Sequence, residues 1–430
     1  MTKVSTSTVH SGFVNICLPF SVSGRDSAFG DPDRMVGFKR IYYPCSFLLK
    51  HIRNIFVEHA LCYERDSELS FFVPSGKRGA QTYKKIEGFK FQVYFFKSGT
   101  GIAAVKIDVG GYTASEVEDL LAELKKVTAS APEEGDAHPT LYDLVRSELS
   151  ALDGSVSFFD HLTEGSILRS DSFASLLIST EGDGDEATEV AERLSAGYNS
   201  AFAPDRGDSL YELYRPTDEI VWAFSSRGTA VVATLERSGT RSASERFFTT
   251  KWLSNVQDGY FVAFLLALHQ KYASFALLNA VDMEDEGRKG RKTQKMLVDF
   301  KTAYVFKILS CEPFYQNVYM KMREVMNIED IIEDLNDELS CQTEYSEIEN
   351  NRRTGAAGFI ISAVCGASVL IDTLAFATGF GFAFNRPFTP AGIITYGAVI
   401  LECCLFALGV AFQLKGRLGK KKKAKKSLKK

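Results

Sequence analysis

Two long apolar runs near the C-terminal end constrain the fold of this chain more than any other feature. Residues 355–384 contain one charged side chain, Asp372, and residues 391–414 contain one, Glu402. About 20 apolar residues are enough to cross the hydrocarbon core of a bilayer as a helix. The runs therefore predict two consecutive transmembrane helices, and a buried helical hairpin inside a soluble domain is the alternative.

Basic residues flank the two runs unequally. Arg352 and Arg353 precede the first run, ten of the sixteen residues 415–430 are Lys or Arg, and the connector 385–390 holds one basic residue. Because such residues concentrate on the cytoplasmic side, we expect a multi-pass protein of the inner (plasma) membrane with both termini cytoplasmic. The basic tail predicts membrane lipid as a partner, and no direct binding of nucleic acid is expected.

The upstream chain changes character near residue 250. Strand-like and helix-like patterns alternate before that point, and the pattern is helical after it. We expect an α+β or α/β cytoplasmic domain over residues 1–250, and two subdomains divided near residues 129–139 are the alternative. A helical bundle and stalk are expected over residues 251–353. A two-span transmembrane hairpin over 354–414 and a polybasic cytoplasmic tail over 415–430 complete the predicted order.

Local patterns predict individual elements of the N-terminal region. Ser115 followed by Glu118 predicts a helix capping box. Residues 97–101 predict a hairpin turn between two strands, and residues 259–281 predict a buried helix rather than a third span, because Lys271 lies near the middle. Predicted strands cover residues 12–22, 69–73, 89–96, 102–109, 176–180, 219–224 and 230–236; predicted helices cover 47–59, 115–127, 140–152 and 186–194.

The segment before the first apolar run is strongly acidic. Its apolar residues recur every three or four positions and residues 315–353 contain no Gly or Pro, which predicts one uninterrupted stalk helix. We expect Asp334, Asp337, Glu338 and Glu344 to attract cations as rings of carboxylates in an oligomer. A solvated helix face is the alternative for these acids.

The two acids inside the apolar runs cannot neutralise each other within one hairpin. A carboxylate in hydrocarbon is costly and usually faces protein or water, so these acids favour a homo-oligomer around a water-filled path. A hydrogen bond between packed helices is the alternative for both Asp372 and Glu402. The predicted pore-lining residues are Asp372, Ser362, Cys365, Ser368, Gly379 and Asn385.

This order of regions resembles the CorA family of divalent-cation (magnesium) channels, most clearly over residues 255–430. The resemblance implies a homopentamer in which the first span lines the pore and the second surrounds it. The family's Gly-Met-Asn signature is missing, since residues 379–385 read Gly-Phe-Gly-Phe-Ala-Phe-Asn. Divergent CorA-like proteins also accompany type III CRISPR systems, which implies the alternative of an antiviral membrane effector gated by a small nucleotide ligand on its cytoplasmic domain.

Enzyme motifs are missing from the sequence. It has no P-loop, no dinucleotide-binding glycine pattern after a strand, no H-E-x-x-H and no G-x-S-x-G. The eight cysteines form no C-x-x-C pair, which argues against a zinc site or a disulfide framework. The expectation is a non-enzymatic cation channel without a catalytic residue, with a divalent cation such as Mg²⁺ as its ion; a membrane-tethered binding protein is a further alternative.

Overall fold

The computed structural model divides the chain into two units, Met1–Leu339 and Ser340–Lys430. It describes residues 7–22, 29, 31–43, 45–55, 60–67, 70–75, 82–125, 141–159, 170–180, 185–202, 211–236, 246–282, 289–377 and 390. The predicted subdivision at 129–139, the second apolar run and the basic tail lie outside these residues.

A mixed sheet of ten strands organises the described part of the first unit. Its strands are β1 (Val9–Val22), β2 (Lys39–Arg40), β3 (Ala60–Asp66), β6 (Lys90–Phe96), β7 (Thr100–Asp108), β8 (Val156–Phe158), β9 (Asp171–Thr180), β10 (Tyr211–Thr217), β11 (Ile220–Ser225) and β12 (Gly228–Glu236). The order is β10-β11-β12-β9-β1-β7-β6-β3-β2, with β8 beside β1, and only β9 and β12 are parallel neighbours. A separate hairpin joins β4 (Phe71–Ser75) to β5 (Thr82–Ile86).

The central strands form where the sequence is richest in β-branched and aromatic residues. In the register of the sheet, β1 pairs with β7 on one side and β9 on the other, and these three strands are largely buried. The predicted hairpin turn between β6 and β7 forms at residues 97–99, where Gly99 adopts φ +87°, and residues 100 and 101 already belong to β7. Glycine accepts this left-handed conformation without the clash that a Cβ would introduce. The seven strand predictions are confirmed, with shifted ends.

One face of the sheet packs against three short helices. They are α2 (Ala114–Leu124), α3 (Leu141–Leu152) and α4 (Asp185–Ala196), and the β4–β5 hairpin joins the same hydrophobic core. The first helix, α1 (Lys50–Asn54), belongs to the opposite core. The prediction of a helix over 47–59 is wrong at its start, because residues 47–49 precede α1 and Leu48 forms an isolated β-bridge with Ser310, while residues 56–59 lie outside the described residues.

The capping box lies two residues earlier than predicted. Thr113 is the N-cap of α2, and its hydroxyl accepts from the backbone N–H of Glu116 while the Glu116 carboxylate accepts from that of Thr113. Glu118 is instead a fully buried interior residue of α2. The helix begins earlier than Ser115 because the reciprocal Thr–Glu pair satisfies two free N–H groups at this point.

The other face packs against the helices that follow the sheet in sequence. Two π-helical turns, Phe248–Trp252 and Val256–Tyr260, precede α5 (Phe261–Asp282); α6 (Lys289–Tyr304) and α7 (Pro313–Val325) complete this layer. Residues 261–270 of α5 are all buried. A helix that is apolar on all sides must be covered on all sides, and here the sheet and the neighbouring helices cover it.

The predicted fold class, with two C-terminal transmembrane helices, is wrong for the described residues. They show a large mixed sheet with helices and no two-span arrangement at the C-terminal end. One described helix, Phe248–Leu278, has the length and composition to cross a membrane, and 72% of its apolar window is buried within the protein. The length and apolarity of a helix show that it must be shielded from water, but they do not show whether lipid or protein shields it.

The stalk is also not one uninterrupted helix. Helix α7 ends at Val325, and α8 (Ile328–Ala377) begins after Asn327, which has φ +52°. Asparagine tolerates the left-handed conformation better than most residues, so it can end a helix without glycine or proline. The Asn327 N–H donates to the Glu324 carbonyl at 3.0 Å, and the 50-residue helix α8 then follows.

Gly259 provides a test of the packing between the π-helical turns and α7. A Cβ at this position would lie 2.6 Å from the Tyr315 ring, which stacks between Phe47 and Tyr260 at 4.3 and 4.4 Å. We expect Gly259→Ala to lower the free energy of unfolding by about 1–3 kcal/mol, as overpacking does. Urea unfolding followed by the fluorescence of the buried Trp222 and Trp252 measures this change.

Gly355→Ala is the matched control. Gly355 lies on α8, and a Cβ at this position would have no heavy atom within 4 Å, so the added methyl meets open space. The free energy of unfolding of this variant should be unchanged or up to about 1 kcal/mol higher. Equal stability of the Gly259 variant and the wild type would contradict the close packing at Tyr315.

Candidate functional site

The predicted cation-attracting acids lie on α8. Asp334, Asp337 and Glu338 are exposed, and Glu344 belongs to the same helix with its side chain outside the described set. Glu329, nearer the start of α8, is bound by Arg323 at 2.5 Å and by Lys307 at 3.3 Å. Among the described residues, no group of three or more His, Cys, Asp or Glu side chains is placed to hold a metal ion.

The predicted pore-lining residues fall partly on the same helix. Ser362 and Cys365 are exposed on α8, and Ser368 and Asp372 lie further along it with side chains outside the described set. Gly379 and Asn385 lie outside the described residues. The structure therefore places four of these six positions on one helix, and their role as a pore lining stays a prediction.

The most unusual surface in the described chain is an apolar segment of α8, residues 358–366. Its sequence is Gly-Phe-Ile-Ile-Ser-Ala-Val-Cys-Gly, and none of these nine consecutive residues is buried. Phe359 is 76% exposed, Ile360 54% and Ile361 38%. Val364 is half-buried and the other eight residues are exposed, and because nine residues make more than two helical turns, the exposed residues are distributed around the helix. Contiguous exposed apolar surface of this kind marks a site of protein or membrane interaction.

A second candidate region is the edge of the sheet where β7, β9 and β12 end. These three strands run in the same direction, because β1 is antiparallel to both β7 and β9 and β12 is parallel to β9. Helix α2 follows β7 and α4 follows β9. This edge therefore gathers the carboxyl ends of three strands and the loops that lead from two of them into helices.

Polar side chains meet at this carboxyl edge across long stretches of sequence. The imidazole Nε2 of His10 is hydrogen-bonded to the Ser179 Oγ, 169 positions away, and the Ser7 hydroxyl donates to Glu186 at 2.8 Å. The sequence predictions missed both pairs. A β-bulge is the structural cause of the first, since the register between β1 and β9 shifts between Val9 and Ser11 and leaves His10 as the extra residue.

The N-terminus of α2 reaches the same edge but does not offer an open anion site. Its capping box occupies the N–H groups of Thr113 and Glu116 with protein acceptors. In the preceding loop, the Gly110 N–H donates to the Asp108 carboxylate and the Gly111 N–H to the Val9 carbonyl. The loop is therefore held by internal hydrogen bonds.

The opposite face of the sheet carries a polar strip beneath the π-helical turns. The Lys106 ammonium donates to the Gln257 side chain at 2.6 Å, and the buried Gln92 donates to Glu64 at 2.6 Å. Burial lowers the pKa of Lys106 and raises that of Asp258. These groups largely bind one another, so they position the π-helical turns on the sheet.

Asn15 is the exception in this strip. It is fully buried opposite Lys106 in the register of β1 and β7, and neither its amide nitrogen nor its amide oxygen has a hydrogen-bond partner among the described residues. An unmet buried polar group costs about 1–3 kcal/mol. Asn15 therefore weakens the core that surrounds it.

His269, the histidine in the middle of α5, is a core residue. Its ring stacks on Phe96 with centroids 3.9 Å apart, and its Nε2 is hydrogen-bonded to Ser98 Oγ at 2.8 Å. Burial lowers the pKa of His269 to about 3, which keeps the imidazole neutral. It aligns α5 with the β6–β7 turn and is inaccessible to a ligand.

A fully buried ion pair joins α2 to α4. The Arg193 Nε donates to Glu118 at 2.9 Å, and both side chains are at most 1% exposed. Burial raises the pKa of Glu118 to about 7, although the positive charge of Arg193 acts in the opposite direction. The pair has no exposed face for a ligand, so its role is structural.

Comparison of the chain with family models, with curated proteins and with solved structures yields no match. The resemblance to the CorA family therefore stays a prediction.

The Glu118 carboxyl makes stability depend on pH. Its folded pKa of about 7 lies above the ordinary 4.5, so the folded protein binds this proton more tightly than the unfolded chain. The contribution is complete below pH 4.5 and is lost as the pH rises through 7. We expect a loss of up to about 3 kcal/mol between pH 5 and 8, at 1.36 kcal/mol per pKa unit. Urea unfolding at several pH values measures it.

Glu118→Gln removes the titrating group and is the comparison variant. Its amide resembles the protonated carboxyl, so its stability at acid pH should stay near that of the wild type, and it should lack the component of the pH slope that belongs to Glu118. Parallel pH profiles for the two proteins would contradict the raised pKa.

Proposed function

We propose that the protein is a membrane-bound homo-oligomeric channel for divalent cations such as Mg²⁺. In this proposal the α8 helices of several copies line the ion path, and the sheet-containing unit controls it. The observation that carries the proposal is the apolar segment 358–366 of α8, whose exposed residues are distributed around the helix.

Lipid and other copies of the same helix are two surfaces that can cover such a segment. A helix of a water-soluble domain normally has one apolar stripe and one polar face. Segment 358–366 has no charged residue on any face, so it lacks the polar face that water requires. A ring of α8 helices in a bilayer supplies both of these surfaces, since each helix then contacts lipid on one side and neighbouring α8 helices on the other.

The charges of α8 favour cations over anions. Asp334, Asp337 and Glu338 are exposed on its N-terminal part, and Asp372 follows the apolar segment on the same helix. Repeated around an oligomer, these carboxylates form rings that raise the local concentration of cations. Because Asp372 lies within the apolar sequence, its carboxylate needs contact with water or with a neighbouring helix.

Ion flux through reconstituted protein tests the proposal. We expect vesicles that contain the full-length protein and an internal Mg²⁺-sensitive dye to report uptake of external Mg²⁺. Asp372→Asn should reduce the rate by about tenfold or more, because it removes a ring of charges from the path. Asp330→Asn is the matched control: Asp330 is exposed on the same helix outside the apolar sequence, and its loss should change the rate by less than about threefold.

Vesicles without uptake, at a protein density confirmed by flotation, would contradict the channel. Equal uptake by wild type and Asp372→Asn would contradict the assignment of Asp372 to the path. Uptake that appears only after a nucleotide is added would support the alternative of a ligand-gated effector.

A further inference from the structure

The His10–Ser179 pair has a geometry that the channel proposal does not use. His10 is an exposed residue of β1, and Ser179 is the penultimate residue of β9, 9% exposed. Their side chains are joined directly, imidazole Nε2 to hydroxyl Oγ. The pair lies at the carboxyl edge of β7, β9 and β12.

The backbone fixes both members of the pair. The β-bulge makes His10 the extra residue between Val9 and Ser11, and bulges of this kind redirect a side chain and are frequent beside active sites. Val9 is hydrogen-bonded to the loop between β7 and α2. Its N–H donates to the Tyr112 carbonyl and its carbonyl accepts from the Gly111 N–H, both at 2.8 Å. The Ser179 N–H donates to the Thr8 carbonyl at 3.3 Å. The contact is therefore held by the sheet rather than by two flexible side chains.

We propose that Ser179 is a nucleophile, with His10 as its general base, for acyl or phosphonyl transfer from activated esters. A serine hydroxyl is a weak nucleophile until an adjacent base accepts its proton, and a direct Ser–His hydrogen bond is the arrangement that permits this. His10 is exposed, so the imidazole of the pair lies at the surface beside the largely buried Ser179.

The step balances within the pair and the ester. The His10 Nε2 takes the Oγ proton as the new Oγ–carbon bond forms, and the bond from that carbon to the leaving alcohol breaks. The leaving alcohol takes the proton from the imidazolium. A water molecule then attacks the acyl-serine, again with His10 as base, and releases the carboxylic acid and the free serine. No oxidant, reductant or metal is consumed.

A fluorophosphonate probe tests this pair on the intact protein. Such a probe forms an Oγ–phosphorus bond and releases fluoride, so modification at Ser179 can be located by mass spectrometry of the digested protein. We expect Ser179→Ala to abolish this adduct and His10→Gln to slow its formation about a hundredfold, the usual size of general-base catalysis.

Ser175→Ala is the matched control. Ser175 lies on the same strand, is fully buried, and should not be modified. The Ser175→Ala protein should react with the fluorophosphonate probe at the wild-type rate. Melting temperatures of all variants separate a loss of folding from a loss of the base, because a folded His10→Gln protein with slow labelling supports the proposal.

Three outcomes would overturn the proposal: no adduct on folded wild-type protein, an adduct on other serines only, or an unchanged rate in His10→Gln. None of them depends on ion flux, so this pair and the channel fail or succeed separately.

Discussion

An apolar helix must be covered, and this constraint shapes the described part of the protein twice. Helix α5 is apolar on all sides over residues 261–268, and the sheet and the surrounding helices bury it. Segment 358–366 of α8 is also apolar, and the described part of the chain buries none of its residues. The contrast means that the apolar segment of α8 needs cover from outside the described residues of one copy.

The two helices also differ in what binds their polar side chains. On α5, His269 is kept neutral by burial and engaged by Ser98 and Phe96, while Lys271 donates to the Ser226 carbonyl at 3.0 Å and lies 3.4 Å from Asp171. On α8, the acids before the apolar segment are exposed and Asp372 lies beyond it. Groups of the same chain bind the polar side chains of α5, whereas neighbouring copies or water would bind the acids of α8.

Local sequence predicted the strands whose residues are apolar or β-branched, and it failed where charge or distant contacts decide. β1 and β7 were predictable from their own residues. β3 carries Glu64, Arg65 and Asp66, and the edge strand β10 carries Pro216, so neither has a clear strand pattern. These strands form because a neighbouring strand supplies their hydrogen bonds, a condition that single-strand patterns do not contain.

The candidate sites divide in the same way. The exposed acids and apolar residues of α8 could be located from sequence, because spacing along one helix determines them. The break at Asn327 could not, since it depends on one residue in a left-handed conformation. Nor could the contact between His10 and Ser179, which requires a bulge in β1 and a register with a strand far away in sequence.

Cysteine labelling allows a direct measurement of what covers α8. Ile360 is 54% exposed in the apolar segment and lies about 160° around the helix from Ser362, on the side away from the predicted pore-lining residues. With Cys365, Cys403 and Cys404 replaced by Ala and with the substitution Ile360→Cys, protein in vesicles is treated with a membrane-impermeant maleimide and with a lipid-soluble one. Cover by lipid predicts that the thiol introduced by Ile360→Cys resists the first reagent and reacts with the second, while the exposed Cys341 reacts with both. Equal reaction of the two thiols with the impermeant reagent would show that this side of the apolar segment lies in water and would contradict the membrane-bound channel.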